Sequence, residues 1–556
     1  MPLAIDVLLG QLVRNGFTAV FGNPGTFEQA LLDRLDRYPQ LRYVLCLHES
    51  VAIGIGIGYA RVLKRPAFIQ LHGSVGLGNG VGMLLEAKQS KTPLVVYVGE
   101  NSQYDEAFQG FLASDLPQIG GPVCKATVRV TVPDQLTRQL RRAIQIAMTP
   151  PFGPVLFAVP MEVLEYQIAA DDAHVTDICL SGGAAVENVA RAVDWMLSAE
   201  RPMIVVGDAV AWTGAQSIVR DLSHLVGAPV YGLGWTMCDA IYDDPLFQEP
   251  LTHAVGMGNA KLLREADVLL VIGSPLAWEV IPDRDGYVAL GAKLLQIDSD
   301  PNELGRNFPA DLAFYGEVRQ VLAQFLHTIQ HAATADFINR ATLRRDTLRE
   351  RRLARRRDLE VRWGVAAKAT KNHPFAMFAA LAEFIRCDDL VFEEAMTAQP
   401  FLRHTFPLSD PELYYPALSR CLGAGWPGAV GAALANPGAR VVAVSSDGAA
   451  MYVPQTLWTA AHLDLNMLFV VANNFSYRVL KLNLNEFRNR IGGHRGDYPF
   501  MDLTRPSINF VHLASSMGVK ALAATTPDEV RSAMTRLTPE KGPRLLDLQI
   551  SGELDY

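Results

Sequence analysis

Short, almost unbroken apolar runs alternate along this chain with longer segments of helical period, and the alternation starts afresh three times. The first series holds Thr18–Phe21, Tyr43–Leu47, Ala67–Leu71, Leu94–Val98 and Val155–Val159, with helical segments at 26–35 and 50–63 between them. The second holds Met203–Val206, Val230–Gly232, Val268–Ile272 and Leu294–Ile297, and the third Val441–Val444 and Met467–Ala472. Apolar runs without polar alternation belong to strands covered on both faces, as in a parallel sheet flanked by helices. A polar stretch at 169–183 reads as a linker. The arginine-dense run 340–362, interleaved with Asp346, Glu350, Asp358 and Glu360, predicts a solvated connecting helix laced by i,i+4 ion pairs. The expected architecture is therefore α/β, with three doubly wound parallel-sheet domains at 1–168, 184–332 and 370–556 and a helical linker at 333–369.

Composition narrows the partners rather than the fold. The 556 residues carry a formal charge of −8, which argues against nucleic acid or an anionic membrane surface as the main partner. Six cysteines (46, 124, 179, 238, 387 and 421) are scattered without a Cys-x-x-Cys, the pattern of reduced thiols in a cytoplasmic protein. The opening MPLAIDVLLGQLVRNG has Asp6 inside its apolar run and no basic lead, so a helix is expected there rather than a signal peptide. No apolar run reaches the roughly 18 residues a membrane span needs.

The candidate chemistry lies where strands end. Val441–Val444, the turn Ser445-Ser446-Asp447-Gly448, a helical segment from about Ala449 to Leu463 and the run Met467–Ala472 form a βαβ unit. Its strands should be parallel neighbours with their carboxyl ends side by side, the edge at which open α/β sheets bind ligands. That edge carries Asp447 and, after the second strand, Asn473-Asn474. One carboxylate and neutral oxygens suit Mg²⁺ with phosphate, and a helix start after Gly448 would offer N–H groups. By itself, Asp-Gly after a strand equally describes a capped helix.

In the first series, Tyr43–Leu47 runs into His48-Glu49 and then SVAIGIGIGYA. Glu49 thus opens a helix at a sheet edge, either complementing the dipole or serving as a functional acid. Gly54, Gly56 and Gly58 do not have the spacing of a dinucleotide fingerprint and are expected to allow close helix packing. A strand also ends in His72-Gly73-Ser74 before a glycine-rich helix start, and Thr26 with Gln29 has the form of a capping box.

Together these stretches resemble the thiamine-diphosphate decarboxylase and acetolactate-synthase superfamily, whose motif is Gly-Asp-Gly followed by Asn-Asn. Here Ser446 stands for the first glycine. The resemblance implies three domains, pyrimidine-binding, middle and diphosphate-binding, with thiamine diphosphate and Mg²⁺ as cofactors. It implies Asp447, Asn474 and the carbonyl of Ser476 as metal ligands, with Gly448 and Ala449 beside the diphosphate. Leu422, in RCLGAGWPG, takes the place of an aliphatic residue that props the cofactor in a bent form. Glu49 takes that of the glutamate bound to the pyrimidine N1′. His72, in an LHG loop like that of benzoylformate decarboxylase, would move protons, and Thr26 and Gln109 (in EAFQGF) would line the substrate cavity. EAMTAQ, 394–399, resembles a loop on the cofactor's phosphate side.

The implied activity is decarboxylation of a 2-oxo acid through an enamine, with carboligation, aldehyde lysis or an acetolactate-synthase-like transfer as the alternative. The alternative gains from GSPLAWEVIPDRDG, from Gly273, which offers Trp278 where benzoylformate-decarboxylase relatives have a second histidine. Sites between subunits follow from the family, so a homodimer at least, and a homotetramer as the usual form, is expected. The small-molecule partners are the 2-oxo acid and an aldehyde acceptor. A cofactor-binding protein without turnover, and a flavin or nicotinamide oxidoreductase, are the other classes; the latter lacks its fingerprint glycines.

Overall fold

The strands form three parallel sheets. In this computed structural model the described residues are all but 170–175, 177–181, 235–243, 249, 253–256, 418–420, 495 and 555–556. Most of the expected 169–183 linker, with Cys179 and Cys238, lies outside them. The first sheet contains β1 (Ala19–Gly22), β2 (Arg42–Leu45), β3 (Ala67–Leu71), β4 (Leu94–Glu100), β5 (Ala126–Arg129) and β6 (Pro154–Pro160), ordered β2-β1-β3-β4-β6-β5. The second contains β7 (Pro202–Val206), β8 (Val230–Gly232), β9 (Val268–Ile272), β10 (Lys293–Asp298) and β11 (Leu312–Tyr315), ordered β11-β10-β9-β7-β8. The third contains β12 (Leu390–Glu394), β13 (Tyr414–Pro416), β14 (Val441–Ser446), β15 (Met467–Asn473), β16 (Lys520–Ala524) and β17 (Arg544–Gln549). Its order, β13-β12-β14-β15-β17-β16, repeats that of the first sheet strand for strand. The duplication is structural; the two stretches of sequence show no repeat.

The central strands β4, β6 and β15 are buried along their whole length, as unbroken apolar runs require when helices cover both faces. Two elements differ from their expected form. The segment after Asp447 is a single turn, Asp447–Ala450, and then a separate helix, Thr456–His462. Pro454, with no N–H to donate, falls in the break. The segment at 26–35 is a 3₁₀ turn, Thr26–Glu28, followed by a short helix, Gln29–Arg34. No side chain caps either start, so the Thr26/Gln29 capping box does not form.

The arginine-dense run is the helix Ala335–Ala369, and its i,i+4 pairs Arg340–Asp336 and Arg362–Asp358 are present. It is more than a solvated connector. Arg340 donates to Leu197 O at 3.0 Å, Arg344 to Val226 O at 2.6 Å and Arg345 to His224 O at 3.2 Å. These carbonyls end the helices Val186–Ser198 and Gln216–Val226, where unpaired acceptors and the negative end of the dipole favour guanidinium groups. Arg356 reaches His404 O in the third domain. The helix therefore fastens the middle domain to its neighbour.

The first and third domains meet through the helices Glu49–Leu63 and Gly425–Ala435. A Cβ on Gly58 would lie 1.9 Å from Gly428 O, and one on Gly431 would lie 1.9 Å from Ile55 O. The helices thus touch backbone to backbone, which is the packing expected of Gly58. Among the described residues no helix is long and apolar enough to cross a membrane, and Cys46, Cys124, Cys387 and Cys421 are free thiols.

Candidate active site

At the edge of the first sheet, Glu49 is the first residue of its helix and is only 6% exposed. Two amides reach its carboxylate: Asn79 Nδ2 at 3.1 Å from Oε2 and Asn23 Nδ2 at 3.4 Å from Oε1. Gly76, in the first turns of the Gly73–Gln89 helix, lies against the same carboxylate.

His72 immediately precedes that helix, and its Nδ1 lies 3.0 Å from Glu28 Oε2. Glu28 is fully buried, and its other oxygen accepts the Gly99 N–H at 3.0 Å. Burial pushes the Glu28 carboxyl up to about 6, against the pull of the His72 hydrogen bond. A carboxylate on Nδ1 fixes the imidazole ring and its tautomer, leaving Nε2 for exchange with a ligand. Phe27 packs beside the ring, with centroids 5.2 Å apart. Sequence reasoning missed Glu28, which drew no notice between Thr26 and Gln29.

Thr26 is exposed, two residues before Glu28. Gln109 is exposed too, in a left-handed conformation with φ +46°. Its segment is pinned against the His72 edge by Ser74 Oγ donating to Leu112 O at 2.9 Å. Glu49, His72, Thr26 and Gln109 therefore share one sheet edge.

Because Glu28 has its carboxyl raised in the fold, its contribution to stability is full below about 4.5 and is lost as pH rises through about 6. A shift of this size corresponds to about 2 kcal/mol. Thermal melts of wild type and Glu28→Gln should diverge across that window, with the wild type losing stability relative to the variant as pH rises. Parallel curves would remove the burial account.

At the edge of the third sheet, β14 and β15 are parallel neighbours with Ser446 opposite Ala472. Asp447 Oδ2 and Asn474 Oδ1 accept from the same N–H, that of Ser476, at 3.2 and 3.1 Å. Their oxygens therefore converge. The preceding Asn473 has a different task, donating to buried Asp547 at 3.0 Å. Burial raises the Asp447 carboxyl to about 6, the reverse of what a nearby cation does. Ser446 has φ −76°, so the turn needs no glycine there. Gly448 does need to be glycine, since a Cβ would fall 2.6 Å from the Tyr477 ring. The single turn Asp447–Ala450 is too short for an appreciable dipole, so loop N–H groups rather than a helix start would meet a phosphate.

Leu422, Asp447, Gly448, Ala449, Asn474 and Ser476 line one cleft. Met396 and Thr397, from the EAMTAQ loop, complete its wall. Glu49 is not among the described residues lining it. Among the described residues no three or more His, Cys, Asp and Glu side chains are grouped so that they could hold a metal ion. A cation here would rest on Asp447, neutral oxygens, phosphate and water, an all-oxygen set that fits Mg²⁺ and lacks the Cys and His donors of structural zinc sites. Trp278 lies in the middle domain, with the Arg306 guanidinium 5.9 Å from its ring.

Known proteins match the chain domain by domain. Residues 4–119 match the N-terminal TPP binding domain of the thiamine pyrophosphate enzymes, 189–325 the central domain and 397–548 the C-terminal TPP binding domain. Benzoylformate decarboxylase of Pseudomonas aeruginosa is 28% identical over 543 residues, 97% of each chain. The acetolactate synthase isozyme 1 large subunit of Escherichia coli is 23% identical over 98% of this chain and 93% of its own. In fold, the chain is similar to a benzoylformate decarboxylase from Polynucleobacter necessarius (TM-score 0.84, 23% identity) and to a thiamine diphosphate-dependent 4-hydroxybenzoylformate decarboxylase from Rhodococcus jostii RHA1 (TM-score 0.85, 24% identity), covering all of both chains in each case. By its three matched domains, its curated relatives and its strand order, the chain belongs to the thiamine-diphosphate-dependent decarboxylase and acetolactate-synthase superfamily.

Proposed function

We propose that the protein is a cytoplasmic, Mg²⁺-dependent lyase of this family that decarboxylates a 2-oxo acid. The observation that carries this reading is the convergence of Asp447 and Asn474 on the Ser476 N–H, with a buried glutamate at the matching edge of a sheet of the same strand order. Asp447, Asn474 and the Ser476 carbonyl would hold the metal. That carbonyl already accepts the Arg478 N–H at 2.9 Å, leaving its second lone pair for a cation. Gly448 and Ala449 would leave room for a diphosphate, and Leu422, which lines the same cleft, would support the cofactor. When bound, thiamine diphosphate supplies a nucleophilic carbon and a ring that takes up the electron pair left by CO₂.

The remaining work belongs to side chains. Glu49 holds a proton at the pyrimidine N1′. His72, oriented by Glu28, moves protons at the substrate's carbonyl group, and Thr26 and Gln109 position its acyl part. Glu49 and the Asp447 cleft belong to different domains, and, as the family's assembly implies, a second copy would supply Glu49 to the cleft. The active form is then a homodimer at least, with a homotetramer as the family's usual assembly.

The stretch from Gly273 to Gly286 contains no histidine, which favours a second reading. With one acid fewer to protonate the product, capture by an aldehyde acceptor competes, giving carboligation. Aliphatic and aromatic 2-oxo acids offered with and without an aldehyde, with CO₂ and products measured, test both. Calorimetry should show thiamine diphosphate uptake that needs Mg²⁺ and is lost in Asp447→Ala. No uptake by wild type would end the proposal.

A further inference from the structure

The loop that carries Leu422 is held by two buried acids from different domains. Glu86, in the Gly73–Gln89 helix of the first domain and 1% exposed, accepts the Cys421 N–H at 2.9 Å. Glu394, the last residue of β12 and 2% exposed, accepts the Gly423 N–H at 3.0 Å through Oε1 and the Gly425 N–H at 3.1 Å through Oε2. Three main-chain donors within five residues, on both sides of Leu422, thus end on two carboxylates. Gly423 at φ +92° gives the loop its turn.

Burying two acids so close together is unfavourable. Burial pushes the Glu394 carboxyl up to about 8, and Glu86 and Glu393 add to the rise. Capping the Gly425–Ala435 helix would need only Glu394; it does not account for Glu86, which reaches across a domain boundary to the opposite side of Leu422.

We propose that Glu86 and Glu394 are positioning residues that fix the height of Leu422 beneath the cofactor. This rests on reading Leu422 as the cofactor's support. A shift of about 1 Å in a positioning group can cost on the order of 100-fold in rate, and Leu422 has no means of its own to resist one.

The two acids predict different substitution patterns. Glu86 Oε2 accepts the Cys421 N–H, which a glutamine oxygen can also do, so Glu86→Gln should keep more of the wild-type rate than Glu86→Ala. Glu394 uses both oxygens, and glutamine would turn an amide donor toward one of the two N–H groups, so Glu394→Gln should be impaired. The test measures hydrogen–deuterium exchange at C2 of thiamine diphosphate bound to the full-length protein with Mg²⁺, alongside cofactor affinity and amide exchange of residues 421–425 in the cofactor-free protein.

The expected result is slower C2 exchange in Glu86→Ala and Glu394→Gln, by about tenfold or more, with affinity within about threefold of wild type and faster amide exchange at 421–425. Adding Glu86→Ala to Leu422→Ala should cause no further slowing, because the two act through one contact. Unchanged C2 exchange in Glu86→Ala, with faster amide exchange or a lower melting temperature, would show a structural role only and overturn the proposal. Should Glu394→Gln not fold, the Glu86 pair decides alone. If Leu422→Ala leaves exchange unchanged while Glu49→Gln slows it, the support role fails and the wider functional reading stands.

Discussion

Glu49→Gln should slow proton exchange at C2 of bound thiamine diphosphate by about 10²- to 10⁴-fold, the usual worth of a positioned acid or base, with 2-oxo acid turnover falling in step. The substitution preserves shape and burial and removes only the acid. Glu49 is held at the start of its helix by Asn23 and Asn79, so a glutamine oxygen can keep one of these contacts. The melting temperature should therefore move little. Exchange measured by quenched NMR separates this role from a dipole-complementing one: equal rates in wild type and variant would reduce Glu49 to a helix-start residue.

The second large effect is structural. A Cβ on Gly431 would meet Ile55 O at 1.9 Å and Tyr59 N at 2.6 Å, both backbone atoms that no rotamer change can move. Gly431→Ala must therefore push the Gly425–Ala435 and Glu49–Leu63 helices apart. Overpacking of this kind costs about 1–3 kcal/mol, and rigid neighbours place it at the upper end. Scanning calorimetry should show a lower melting temperature, together with lost turnover, because Glu49 and the Leu422 loop sit at the starts of these two helices. Gly364→Ala is the control. Nothing lies within 4 Å of a Cβ there, and alanine in a helix interior should raise stability by about 1 kcal/mol. A Gly431 variant as stable as the control would show that the helices are not locked together.

The central strands could be read from sequence because burial on both faces leaves a signal in every residue. Edge strands leave less: β5 and β16 are partly exposed, and β13 has three residues. Ser476 came only from the family resemblance, whereas the nearness of Asp447 and Asn474 was legible because they lie on one βαβ unit close in sequence. The Glu28–His72 pair was not, since 44 residues separate its members and only the packing of two loops brings them together. Glu86 and Glu394 escaped for the same reason. The arginines of 340–362 were read by charge alone, which found the ion pairs of Arg340 and Arg362 but not the carbonyl groups at the ends of other helices that Arg340, Arg344 and Arg345 reach.

The Gly73–Gln89 helix starts beside His72 and carries Glu86 near its far end. Its 17 residues make a rod about 25 Å long. A helix this length tilts rather than crumples, so a load on its first turn is felt where it grips residue 421. The end beside His72 and the end that holds the Cys421 N–H are therefore mechanically in series.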